Sequence, residues 1–127
     1  MNRRNQGFIS YTEGHLAEKE AISFMQKKGY KLFDSNIHAP KGVGANEIDL
    51  IFTKENTIIF IEVKKRKQID EASYSITPNI QKRLFKAAEL FLSKHSEFSG
   101  FDCRFDCLLT DDGQNFVHIE NAFGDMI

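Results

Sequence analysis

The chain of 127 residues contains no tryptophan, two prolines and two cysteines. It has no long apolar run, so no membrane span is expected, and no apolar stretch follows the arginines of Met1-Asn2-Arg3-Arg4, so no secretory leader is expected either. Cys103 and Cys107 stand four residues apart, ~13 Å along a strand, too far for a disulfide. Two reduced thiols in a cytoplasmic protein are the expectation, rather than a redox or zinc site. His15, His38, His95 and His118 lack zinc-ligand spacing. Net charge is only −1, which excludes a globally basic nucleic-acid binder and leaves local patches to do that work. Twelve phenylalanines and a hydrophobic share of 41% can fill the core of one domain, and a chain this long buries roughly two-thirds of its unfolded surface.

The apolar pattern divides the chain into elements. Residues 1–11 form a polar lead. Ala17, Ala21, Phe24 and Met25 follow helical spacing, with Thr12 at the N-cap, Lys27 and Lys28 in the last turn and Gly29 after it. A strand is expected over 30–38, then a loop with one Pro and two Gly at 39–45. That loop lacks the G-K-[ST] ending and following helix of a phosphate loop. Asn46-Glu47-Ile48-Asp49-Leu50-Ile51 and Ile58 through Lys67 read as a hairpin joined by Lys54-Glu55-Asn56. Residues 68–76 read as loop. Thr77-Pro78 opens a second helix whose stripe is Ile80, Leu84, Ala87, Ala88, Phe91 and Leu92. A strand over 101–109 puts Cys103, Phe105, Cys107 and Leu109 on one face. Asp111-Asp112-Gly113 is a turn signal, and a short strand over 115–120 closes the pattern. The order α-β-β-β-α-β-β predicts an α/β fold, a central mixed sheet flanked by helices.

The hairpin concentrates the chemistry. Alternate strand residues share a face, so Glu47 pairs in direction with Asp49, and Glu62 with Lys64. Ile48, Leu50, Ile59, Ile61 and Val63 should anchor the opposite face. Asp49, Glu62 and Lys64 have the spacing of a D…E-x-K metal site. Carboxylates suit Mg²⁺, with Mn²⁺ a second candidate, and the Val63 carbonyl is a further oxygen ligand. Such an ion, with Lys64 beside the attacking water, fits phosphodiester hydrolysis. A surface decoration of charged strand ends is the competing reading. Between residues 64 and 86, seven cations (64, 65, 66, 67, 82, 83 and 86) face only Asp70 and Glu71. Lys65, Arg66, Lys67, Gln81, Lys82, Arg83 and Lys86 are therefore the candidate phosphate contacts, and DNA the expected partner.

The core Asp49…Glu62-Val63-Lys64 resembles the PD-(D/E)XK nuclease superfamily, near the archaeal Holliday-junction resolvases. The whole chain resembles the YraN-like bacterial family of predicted endonucleases. The matching pieces are Gly14…Ala17-Glu18…Ala21, Gly29-Tyr30…Asn36, Glu47-Ile48-Asp49-Leu50-Ile51 and Phe60-Ile61-Glu62-Val63-Lys64…Arg66. Lys82 with Leu84 and Ala88, Arg104-Phe105-Asp106 and Asn121-Ala122-Phe123 complete them. The resemblance implies a restriction-endonuclease or resolvase-like fold with Asp49, Glu62 and Lys64 as catalytic core and Glu18 joining the metal or water network. By strand direction Glu47 is a further candidate metal ligand, in a cluster of up to four acids with Glu18, Asp49 and Glu62. It implies a Mg²⁺-dependent endonuclease acting on DNA, with branched or junction DNA as a candidate substrate, and leaves room for a homodimer. Asn46 stands where the family usually has Gly, and His38 where it usually has Arg. A nucleic-acid-binding module of the same fold with little activity, and a protein-interaction domain, are the other readings.

Overall fold

The computed structural model describes residues 16–66 and 77–123. Helix α1 is described over 16–27. It is followed by β1 (Lys31–Ile37), β2 (Ile48–Lys54), β3 (Thr57–Lys65), helix α2 (Pro78–Ser93), a short 3-10 turn at Ser96–Phe98, β4 (Asp102–Thr110) and β5 (Val117–Ile119). The strands form one sheet in the order β1-β2-β3-β4-β5. Only β3 and β4 run parallel; the other neighbours are antiparallel. The fold is the expected mixed-sheet α/β class in the expected order. The expected lead, the Thr12 cap, Lys67 and the loop at 68–76 lie outside the described residues.

Local chemistry explains the boundaries. Helix α1 ends where Gly29 takes φ +92°. The Gly29 N–H donates to the Gln26 carbonyl at 3.0 Å and the Tyr30 N–H to Met25 at 3.2 Å, closing the last turn as a left-handed C-terminal motif does. Helix α2 starts at Thr77, whose hydroxyl accepts from the Ile80 N–H at 3.3 Å, with Pro78 in the first turn. The β2–β3 turn is shorter than expected: Lys54 already pairs with Thr57, and Glu55 at φ +54° makes the reversal.

The sheet is buried on both faces, not on one as the hairpin pattern suggested. Ile48, Ile51, Ile58, Phe60, Phe105, Cys107 and Leu109 pack with Leu84, Ala87, Ala88 and Phe91 of α2. Leu50, Phe52, Ile59, Ile61 and Leu108 pack with Ala21, Met25 and Tyr30 on the other side. Ile48 and Leu50, expected together, thus serve opposite layers. A strand covered on both faces reads as a continuous apolar run, as Ile58-Ile59-Phe60-Ile61 does. Several phenylalanines fill the α2 layer: Phe60 stacks on Phe105 at 5.2 Å, and Phe85 meets Phe105 edge-on at 4.6 Å. Cys107 is buried, Cys103 exposed, and both are free.

On the α1 side, Asp106 is fully buried. It accepts from Arg104 Nε and Nη2, each at 2.8 Å, and from the Asn121 N–H at 3.0 Å. His118 Nε2 lies 2.8 Å from the same carboxylate, and Lys28 meets the other ring nitrogen. Arg104 also donates to the Tyr30 hydroxyl at 2.6 Å. Burial pushes the Asp106 pKa up, but these hydrogen bonds outweigh it and the net shift is downward. This network pins β4, β5, the turn after β5 and the end of α1 together.

Candidate active site

The β2–β3 ladder runs from Lys54↔Thr57 to Leu50↔Ile61. One position further, the side chain of Asp49 takes the place of a backbone partner: its Oδ2 accepts from the Val63 N–H at 2.8 Å. The same step of the register sets Glu62 opposite Asp49, at the open end of the hairpin. Glu62 is held between Cys107 on β4, its neighbour in the parallel pair, and Lys64, whose Nζ lies 3.1 Å from Glu62 Oε1. Both side chains are mostly enclosed, with 19% of Lys64 and 11% of Glu62 exposed. The three residues of the expected core are therefore brought together.

Electrostatics marks this cluster apart from the surface acids. Burial raises the Asp49 pKa to about 7, helped by the charges of Glu62 and Glu18 and opposed by the Val63 N–H and Lys64. Burial also raises Glu62, against the pull of Lys64 and Arg66 and with a push from Glu18. The charge of Glu18 on α1 thus acts on both carboxylates. Burial and the charge of Glu62 push the neighbouring Cys107 thiol up to about 12, so it stays protonated and inert as a nucleophile.

Glu47 does not join the cluster. It lies one residue before β2, and its carboxylate pairs with His38 Nδ1 at 2.8 Å, both side chains being largely exposed. Alternation failed here because Glu47 lies outside the strand it was expected to extend. The expected set of up to four acids is accordingly smaller. Among the described residues, no three His, Cys, Asp or Glu side chains form a group able to hold a metal ion. Asp49 and Glu62 form a pair, and each keeps one oxygen without a hydrogen-bond partner among the described residues. A pair is the carboxylate count that Mg²⁺ commonly takes, with water and substrate filling the rest. The donor set fits that ion.

The candidate phosphate contacts divide. Lys82, Arg83 and Lys86 are exposed on the first half of α2, and Gln81 is half-buried there. The Arg83 carbonyl accepts from the Asn46 N–H at 3.2 Å, tying this part of α2 to the approach to β2. Arg66 follows β3 and is exposed, donating to the Lys65 carbonyl at 2.8 Å. Lys65 points past Gly113 and Ala17, on the α1 side of the sheet and away from α2.

A mixed α/β sheet that carries Asp49 and Glu62-Val63-Lys64 at the end of one hairpin defines a domain of the resolvase-like class. Comparison with known proteins narrows the class. The model of the family described as "Uncharacterised protein family UPF0102" matches residues 17–109. A UPF0102 protein of Bradyrhizobium diazoefficiens is 36% identical over 114 residues, 90% of this chain and 83% of that protein. One from Rhodopseudomonas palustris is 34% identical over 114 residues, covering 90% and 82%. The chain belongs to the UPF0102 family, the YraN-like family of the PD-(D/E)XK nuclease superfamily.

Proposed function

We propose that the protein is a Mg²⁺-dependent endonuclease that hydrolyses phosphodiester bonds of DNA, with Mn²⁺ able to replace Mg²⁺. The observation that carries this reading is the enclosed Asp49–Glu62 pair with Lys64 ion-paired beside it. Two half-buried carboxylates whose pKa values are both raised by burial are costly to keep unless a cation or chemistry uses them. Asp49, Glu62 and the Val63 carbonyl would hold the metal. A bound divalent ion supplies a more acidic water and neutralises charge on the scissile phosphate.

The remaining work falls to side chains. The Val63 N–H fixes one Asp49 oxygen and so aims the other outward. Glu62 anchors the Lys64 ammonium, which then orients the attacking water and offsets negative charge that grows on the phosphate as the phosphorus–oxygen bond breaks. Glu18 adds negative charge felt by both acids, which strengthens cation binding. The basic first half of α2 supplies contacts to the phosphate backbone. Branched DNA is the substrate the family resemblance suggests.

The test is cleavage of linear, nicked, flapped and four-way DNA with Mg²⁺, Mn²⁺ or EDTA. Cleavage is expected with either metal and not in EDTA. Asp49→Asn, Glu62→Gln and Lys64→Met should each lower the rate by ~10²-fold or more, the scale of losing one positioned charge. A Lys64→Met protein, purified free of host nuclease, that cleaves at the wild-type rate would refute the role given to Lys64. A module that only binds DNA would show no metal-dependent cleavage in any of these substrates.

A further inference from the structure

A second concave feature lies on the α2 side of the sheet, between the end of β1 with the loop after it and the second half of α2. It is a groove of about 110 Å³ lined by Ile37, Ala39, Pro40, Ala87, Leu90 and Phe91. Its walls are apolar, and Lys94 supplies a cation at its edge, where His38 and His95 also stand. Glu47 is engaged by His38, Glu97 lies two residues past His95 and is exposed, and Glu89 of α2 lines a different pocket, with Phe85 and Cys103. The floor is rigid. His95 stacks on Phe91 at 3.9 Å, and its Nδ1 meets the Phe91 carbonyl at 2.8 Å.

The groove continues the proposed site. Ile37 at its near end pairs with Ile48, the residue before Asp49. Along α2, Arg83, Ala87, Leu90 and Lys94 recur at helical spacing and form one stripe. At ~1.5 Å per residue the stripe from Arg83 to Lys94 runs ~16 Å. Cations at the two ends of this stripe, with an apolar recess between them, suit a single nucleic-acid strand. Phosphates take the cations, and an unstacked base needs an apolar, ring-sized seat. Duplex DNA presents the phosphates but keeps its bases stacked inside, so it would leave this recess empty. The recess is too small for a helix or strand of a protein partner.

The geometry points to this groove as the seat of an unpaired base, on a strand whose backbone runs along α2 from the Asp49–Glu62 pair toward Lys94. The inference rests on the nucleic-acid reading above and narrows its substrate to DNA with a single-stranded arm. Leu90 and Lys94 are then specificity-determining residues, one against the base and one against its phosphate.

The experiment measures binding of the full chain in EDTA to a blunt duplex and to the same duplex with a six-nucleotide overhang, at matched ionic strength. The overhang should bind about tenfold more tightly, the lower part of the range for seating a base. Leu90→Glu and Lys94→Glu should each bring the ratio of the two affinities close to one. Lys94 is exposed, so its variant keeps the test decisive if Leu90→Glu unfolds, which thermal melting would show. Equal binding of both DNAs by the wild type, or an unchanged ratio in both variants, would overturn the proposal. Cleavage of the same two DNAs with Mg²⁺, run in parallel, separates the two readings. A preserved ratio without cleavage keeps the groove and removes the nuclease; cleavage without a preference does the reverse.

Discussion

Asp49 is both a proposed cation ligand and a group whose ionised form is costly in the folded chain. Its folded pKa, about 7, stands above the ordinary carboxylate value because burial and the charges of Glu62 and Glu18 disfavour the anion. The sign of the linkage follows. A carboxylate whose pKa is raised on folding costs no stability below its unfolded value near 4, and costs progressively more as pH rises toward and past 7. In metal-free buffer, Asp49→Asn should therefore raise the melting temperature at pH 8, by on the order of 1–3 kcal/mol of stability. The amide oxygen of Asn can still accept from the Val63 N–H. At pH 5 the gain should fall to under half of its value at pH 8. Thermal melts of both proteins in EDTA at the two pH values measure it, and an equal effect at both would mean the carboxylate is not held in the destabilised ionised form. A variant expected to lose the proposed activity would then be a stabilising one, because the site sets charge against burial.

Helix α2 packs on the sheet and, in the proposed reading, also contacts the phosphate backbone. The Thr77 hydroxyl satisfies the Ile80 N–H, and Thr77→Ala should cost about 1 kcal/mol of stability, as N-cap losses commonly do. Its buried stripe of Leu84, Ala87, Ala88 and Phe91 holds the helix to the sheet. Because the cap lies one turn before Gln81 and Lys82, fraying there should also loosen the basic half of the helix. Thr77→Ser, which keeps the hydroxyl, should restore both stability and DNA affinity; denaturant titration alongside binding measures the pair. The same elements carry a sharp contrast in burial. Strand β3 is apolar where both helices cover it and changes to Glu62-Val63-Lys64 where that cover ends.

At the scale of the whole molecule, a net charge of −1 conceals a division of labour. Asp49 and Glu62 sit at the open end of the hairpin, and Lys82, Arg83 and Lys86 are exposed on the first half of α2. Long-range attraction to DNA is weak for so neutral a protein, so affinity should depend on few contacts and respond to salt accordingly. Each phosphate contact on duplex DNA contributes about 0.9 to the slope of log affinity against log salt. Replacing Lys82 and Lys86 with Ala should flatten that slope by about 1.8 and weaken binding to all sequences alike. A slope unchanged from wild type, measured from 50 to 200 mM salt, would place the DNA path away from α2.

The sequence by itself determined the periodic and local features: the order of elements, the Thr77-Pro78 start of α2, the Gly29 ending of α1, and the meeting of Asp49, Glu62 and Lys64. Those follow from neighbours in the chain or from a hairpin whose register is short-range. Tertiary structure decided what depended on cover from distant residues. Whether Ile48 and Leu50 share a layer was settled by two helices packing on opposite faces. Glu47 left the acidic cluster because the β2 strand starts one residue later and His38, nine positions away, offers it a partner. The network around Asp106 assembles Arg104, His118, Asn121, Tyr30 and Lys28. No spacing rule joins Lys28 to His118, ninety residues on. Alternation assigns a direction to a side chain only where a strand exists, and only the folded chain shows what waits in that direction.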